Sequence, residues 1–437
     1  MPSVVKNLSH HGEHGGTRRK SGENIMKGKI KTFIDLFAGA GGLSEGFMRE
    51  GFQPVAFVEK DKDACHTLQT RMAYWYLKKT NNLDIYRDYL QDKLTENEFY
   101  NHIPEGFLKK ILNEEINEHT IDVIFNRIDE ILCGSKVDII LGGPPCQAYS
   151  VAGRSRMGEK VKNDNRNYLF KFYIKFLKKY KPSMFIFENV PGLLSADGGR
   201  YFEEMISEFE KLEYGISSKI LNAADYGVLQ NRKRVFIVGM KHNKKFVFPE
   251  PDPGLISGSN LKELFCDLPE AVIERDKKIF FYIKEGDNYL KKTWIRNDLD
   301  FTTLHITRPI NKNDKEIYKL AIRTFMKEGR QLKYTELPEH LKTHRNQVSF
   351  IDRFRVLNLD GISHTIVSHL SKDGHYYIYP DYDNPRSLSV REAARIQSFP
   401  DDYFFEGSRT SCFRQIGNAV PVLLSQALAK QIIRLLI

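Results

Sequence analysis

From Lys31 to Met240 the chain alternates short apolar runs with amphipathic stretches, and this alternation constrains the fold more than any other feature. The runs "KTFIDLF", "PVAFVEKD", "VDIILGG", "SMFIFENV" and "RVFIVGM" read as strands, each bounded by turn or polar residues. Between them, "GLSEGFMREG" up to Gly51, the stretch opening "KDACHTLQTRM", "YLFKFYIKFLKKYKP" and "RYFEEMISEFEKLEYG" read as helices. Strands separated by helices pair in parallel, and a parallel sheet needs cover on both faces. The expected class is α/β, a doubly wound and mostly parallel sheet over residues 31–250. Ligands of such a sheet gather at the carboxyl ends of its strands.

Two stretches break the pattern. Residues from about 74 to 120 are rich in Lys, Asn, Asp, Glu and Tyr and read as a mostly helical insertion, after which "VDIILGG" resumes the sheet. Beyond Phe248, "PEPDPG" ends the alternation. Residues 251–385 mix short strands, loops and many basic and aromatic side chains, which predicts a second, smaller, mixed domain. In the last segment, 386–437, Val420, Leu423, Leu424, Ala427, Leu428, Ile432, Leu435 and Leu436 form one helical stripe that should pack back on the first domain. Residues 1–30 are polar and aperiodic and read as a disordered tail. Its "HHGEH" at 10–14 has no second ligand cluster and reads as solvated, not metal-binding.

The 437 residues carry a formal net charge of +10, which favours an anionic partner, nucleic acid first. The cysteines at 65, 133, 146, 266 and 412 show no CxxC pair and no His-linked spacing, against a disulfide framework or a zinc site. With no bilayer-length apolar run and no signal-peptide core, a cytoplasmic protein without a membrane partner is expected.

Four motifs carry chemistry. "DLFAGAGGLSEGF" (35–47) is a Gly-rich turn between strand and helix without the lysine of a P-loop, and Glu59 ends the next strand. That pair suits a nucleoside-containing ligand, the acid accepting from ribose hydroxyls. "LGGPPCQAYS" (141–150) freezes the backbone with two glycines and two prolines just before Cys146, a frame suited to a nucleophile that attacks along one line. "FENV" presents Glu188 at another strand end, and in "QNRKRVFIVG" Arg232 and Arg234 enter a strand two residues apart. All four fall on one sheet edge.

Together with "SLSVREAARIQSFPDDY" and "RQIGNAVP", and in this order, these motifs resemble the carbon-5 cytosine-specific DNA methyltransferase family of prokaryotic restriction–modification type. Enzymes that methylate exocyclic amino groups carry a [DNS]PP[YFW] element in place of PPCQ. The resemblance implies a Rossmann-like S-adenosylmethionine-dependent methyltransferase fold with residues 251–385 as target-recognition domain. It implies that Cys146 is the nucleophile and that Glu188 bonds and protonates ring nitrogen 3 of cytosine. Asn189 would orient the loop, and Arg234 would contact the base oxygen with Arg232 nearby. The co-substrate S-adenosylmethionine would lie against Phe37, Gly39, Gly42, Leu43, Glu59, Pro145, Leu169 and Asn418. Gln147 and Ser150 would lie against DNA, and no metal is implied. Lys60 stands where some members have an aromatic residue after the ribose acid. The third-strand contact to the adenine amino group falls to Asp129 or Asn126. The implied partner is double-stranded DNA, its target base swung out of the helix. A cognate restriction endonuclease or defence-system proteins would be linked in function only, and the enzyme would act as a monomer. A tRNA cytosine-5 methyltransferase shares the motifs, but the large second domain argues against it. A non-catalytic DNA-binding regulator is opposed by the complete set of catalytic residues.

Overall fold

The computed structural model describes residues 30–145, 169–273, 279–297, 299–343 and 351–436. The tail up to residue 29, with "HHGEH", lies outside them.

Successive residues of a strand point to opposite faces, and here both faces are apolar. Phe33, Phe57, Leu141 and Ile186 enter one core while their neighbours Ile34, Val58, Ile140 and Phe185 enter the other. The strands are β1 (Thr32–Leu36), β2 (Gln53–Glu59), β3 (Ile111–Asn113), β4 (Ile139–Gly142), β5 (Met184–Asn189), β6 (Tyr214–Asn222) and β7 (Lys233–Lys241). They form one seven-stranded sheet in the order β3-β2-β1-β4-β5-β7-β6. The first five strands pair in parallel, and β7 runs antiparallel to both β5 and β6. The chain reverses its direction of travel between β1 and β4. The loops that leave those two strands therefore diverge and open a crevice.

Helices α1 (Gly42–Arg49), α2 (Lys62–Lys79), α3 (Ile121–Leu132), α4 (Leu169–Tyr180) and α5 (Arg200–Glu210) cover the sheet. The stretch 74–120 differs from its sequence reading in one respect. It contains β3, whose Asn113 sits opposite Glu59, so the sheet has already resumed before "VDIILGG". The helices at Leu83–Leu90 and Glu96–Asn101 pack Tyr86, Leu90 and Phe99 onto Ala73, Tyr74 and Leu77 of α2, and the same cluster includes Phe301 far along the chain.

Beyond β7 the longest element is α6 (Lys312–Glu328). It has its own small core, where Ile317, Tyr318, Ala321 and Ile322 meet Tyr334, Leu337, Leu341, Phe354 and Val356. Helices α7 (Val390–Ile396), α8 (Arg409–Asn418) and α9 (Val422–Leu436) complete the chain. A buried arginine joins this end to the start of the second region. Arg395 bonds Asp267 at 2.6 Å and Asp401 at 2.5 Å. Helix α9 lies on α1, with Leu424, Leu428 and Ile432 buried in the core that holds Phe33 and Phe47, while Leu435 is 45% exposed. Each such fully buried side chain contributes about 1.5–3 kcal/mol. Among the described residues no single helix is long and apolar enough to cross a membrane.

Candidate active site

At the end of β1 the backbone turns sharply. Phe37 is left-handed (φ 57°), and Gly39 (φ 53°) has open space where a side chain would stand. The Gly39 amide donates to Glu59 Oε2 at 2.8 Å, while the Lys60 and Asp61 amides donate to Oε1 at 2.9 and 2.8 Å. Three backbone donors thus fix one carboxylate at the tip of β2. Burial still pushes its pKa up, and the amides offset only part of that. On β1, Asp35 is 1% exposed and its Oδ2 has no hydrogen-bond partner. Burial raises its pKa to about 7, with the neighbouring Glu59 charge adding to the shift. The sequence reading passed over Asp35, although an acid inside "TFIDLF" is the signal that marks it.

The C-terminal segment forms another side of the crevice. A side chain at Gly42 would meet Val420 O at 2.3 Å, so the absence of one lets the 419–420 backbone lie against the start of α1. Leu43 is buried beside it, and Asn418, at the end of α8, is exposed. Leu169 opens α4 and is half-buried, and Pro145 is exposed. Asp129 and Asn126 are not on the third strand. They lie on α3, where Asp129 pairs with Lys179 at 2.7 Å. The third strand instead ends at Asn113, whose Nδ2 donates to the Glu59 and Lys60 carbonyls at 3.2 and 3.0 Å. Lys60 pairs with Glu115 at 2.8 Å.

Next to β1, strands β4 and β5 bring the other motifs together. A side chain at Gly143 would stand 2.8 Å from Glu188 Oε2, so any other residue there would push that carboxylate or the loop after β4 aside. Buried Asn189 donates from Nδ2 to Pro144 O at 3.2 Å and holds the loop two residues before Cys146. Cys146, Gln147 and Ser150 themselves lie outside the described residues. Arg234 Nε bonds Glu188 Oε1 at 3.0 Å, each side chain 13% exposed. Burial raises the Glu188 pKa and outweighs the pull of Arg234 and Arg232. The two arginines differ in what they touch. Arg232 is fully buried and donates to the carbonyls of Ile366, of Gly417 at 3.1 Å and of Ala419 at 2.9 Å. It holds the C-terminal segment in place and does not bond the Glu188 carboxylate.

A switch-point crevice with a fixed strand-tip acid, beside a half-buried Glu–Arg pair next to a proline-framed loop, is the ligand-binding edge of a doubly wound α/β fold. The chain belongs to the C-5 cytosine-specific DNA methylase family, whose profile matches residues 31–101 and 90–434. It is 41% identical over 436 residues to the type II methyltransferase M.Bpa9945I of Bacillus paralicheniformis, covering 91% of this chain and 98% of that one. With the type II methyltransferase M1.HphI of Haemophilus parahaemolyticus it shares 30% identity over 404 residues, 92% of this chain and 87% of the relative. A crystal structure described as a prophage-encoded Escherichia coli DNA modification methyltransferase shares the fold. Its TM-score is 0.59 at 23% identity, over 93% of this chain and 99% of that one.

Proposed function

We propose that this enzyme methylates carbon 5 of a cytosine swung out of duplex DNA, at one recognition sequence, through a covalent adduct with Cys146. S-adenosylmethionine, when bound, supplies the electrophilic methyl group. The residues fit that donor. The Glu59 carboxylate is fixed to accept from ribose hydroxyls, Gly39 leaves space beside it, and the unpartnered Asp35 oxygen is buried on the adjacent strand. Phe37, Leu43, Pro145, Leu169 and Asn418 would complete the pocket.

The observation that carries the reading is the Glu188–Arg234 pair packed against Gly143, beside the Asn189 bond to Pro144. Carbon 5 of cytosine is a poor nucleophile. Addition of the Cys146 thiolate to carbon 6 makes it an enamine, provided that the charge moving onto nitrogen 3 is met by a proton. Burial raises the pKa of Glu188 and so favours its proton-carrying form, which can supply that proton, while Arg234 fixes its orientation and can meet the base oxygen. After carbon 5 takes the methyl group, loss of its proton and departure of the sulfur restore the ring. Asn189 keeps the Cys146 loop on the attack line, and Gln147 and Ser150 would contact DNA. Residues 251–385 would read the target, and the enzyme would serve restriction–modification, as the type II names of the relatives support, or phage defence. The test is trapping. Duplex DNA with 5-fluorocytosine at the target should form a stable adduct with the wild type and none with Cys146→Ser, because carbon 5 then has no proton to lose. An adduct mapped to another cysteine would overturn the mechanism.

A further inference from the structure

The chain has two tryptophans, Trp75 on α2 and Trp294, and both face one cleft of about 860 Å³ that shares no lining residue with the candidate active site. It opens between α1, α2 and α9 on one side and residues 247–255 and 292–297 on the other. Trp294 is 62% exposed and holds φ 57°, a conformation that residues with side chains avoid. An indole left mostly in water on such a backbone adds little burial to the fold, and strain of this kind clusters at ligand sites. The Lys78 ammonium stands 5.4 Å from each indole centroid and so bridges the two rings. Below them, Arg71 is neutralised by Glu45 at 2.6 Å and Asp402 at 2.9 Å. The rim carries Lys292, Lys430 and Arg434 against Glu250 and Asp252, and Lys430 reaches its nearest acid, Glu50, only at 4.0 Å. Exposed Val247 and Leu255 flank the opening.

Aromatic faces ringed by cations take a planar base and its phosphate. An acidic peptide would use the cations but would leave the exposed indole without a planar partner. We propose that this cleft binds a nucleotide unit, free or as one link of a single strand. The base stacks on Trp294 and the phosphate lies on the Lys430–Arg434 side.

Because both tryptophans line the cleft, intrinsic tryptophan fluorescence of the full chain reports on it alone. Titration with deoxyadenylate in one arm and an oligothymidylate single strand in the other should give saturable quenching. A response to the first alone identifies a free nucleotide, and one to the second identifies a strand. Trp294→Ala should weaken binding at least about tenfold, in line with the loss of one base–aromatic stack. Trp294→Phe should retain most of it, and Lys430→Glu with Arg434→Glu should weaken it with the stack intact. Methyl transfer should be unchanged in all three. No saturable quenching at millimolar ligand would overturn the proposal. So would quenching that S-adenosylhomocysteine displaces, quenching that these substitutions leave untouched, or a response to an acidic peptide alone.

Discussion

The Glu188 carboxyl lies under two opposed influences, burial that favours its neutral form and Arg234 that favours its charged form, and burial wins. If the protonated form serves nitrogen 3, turnover should fall as pH rises through this raised pKa. Glu188→Gln keeps the shape but has no proton to give. It should lower kcat by about a hundredfold or more, the scale of general acid catalysis, and its pH profile should lack the alkaline limb. A variant with the wild-type profile would place the acid elsewhere. Asp35 obeys the same physics with a clearer effect on stability. Its folded pKa of about 7 lies above the ordinary 3.8, so the fold binds this proton more tightly than the unfolded chain does. Stability contributed by the proton is full at low pH and is lost as pH rises toward 7, by up to about 4 kcal/mol. Urea unfolding from pH 5 to 8 should therefore show wild type losing ground to Asp35→Asn as pH rises. A constant difference across that range would mean Asp35 does not titrate there.

Among elements, the α1–α9 contact depends on a missing side chain. A side chain at Gly46 would meet Gln426 N at 2.4 Å and Ser425 Oγ at 2.5 Å, backbone and a short side chain that cannot move aside. Gly46→Ala should cost about 1–3 kcal/mol by overpacking, read as a lower urea midpoint with an unchanged slope. Gly106, which has open space around it, should accept Ala at no cost. This contact also shows what the sequence could convey. The apolar stripe of α9 announced that the helix needs a core, but the glycines that admit it lie some 380 residues away, a pairing no local pattern encodes. Strands β1, β2, β4, β5 and β7 are legible because each is an apolar run with sharp boundaries. Strand β3 is three residues long, and β6 exposes Ser218, Lys219 and Ile220 along an edge, so neither has the periodicity of a buried strand. In the candidate site, Glu59, Glu188 and Arg234 are legible because each stands at or near a strand end. Arg232 and Arg234 look alike two residues apart. Only the fold shows that the partners of Arg232 are carbonyls from residues 366, 417 and 419.

For the whole molecule, the question is which part reads the DNA sequence. Residues 251–385 do not form one separable block. Asp267 is held by the buried Arg395, Phe301 belongs to the core around α2, and Gln230–Asn231 pairs with Ser363–His364. Exchanging the entire stretch would cut these buried connections. The core around α6 is different, since its buried residues from Ile317 to Val356 pack on one another and draw Ile378 alone from outside that stretch among the described buried residues. Cations there are unequally available for DNA. Arg330 is held by Glu328 and Glu336 at 2.8 and 2.9 Å, while Arg353 and the exposed Arg323 lie over the Tyr334 and Tyr382 rings, Arg323 also donating to the Tyr382 hydroxyl. Base contacts specify and phosphate contacts position, so a unit that reads bases should carry its specificity with it. A chimera with a relative's residues in place of 310–356 should stay folded, keep methyl transfer and mark the relative's site. Within the unit, Arg323→Ala should either relax one position of the site by about 1–3 kcal/mol or weaken all DNA alike and flatten the salt slope by about one unit, according to whether it meets a base or a phosphate. Sequencing of methylated cytosines in cells expressing each protein is the measurement. An active chimera that still marked the original site would move the reading function to the stretch around Phe301 or to the helices at 83–108.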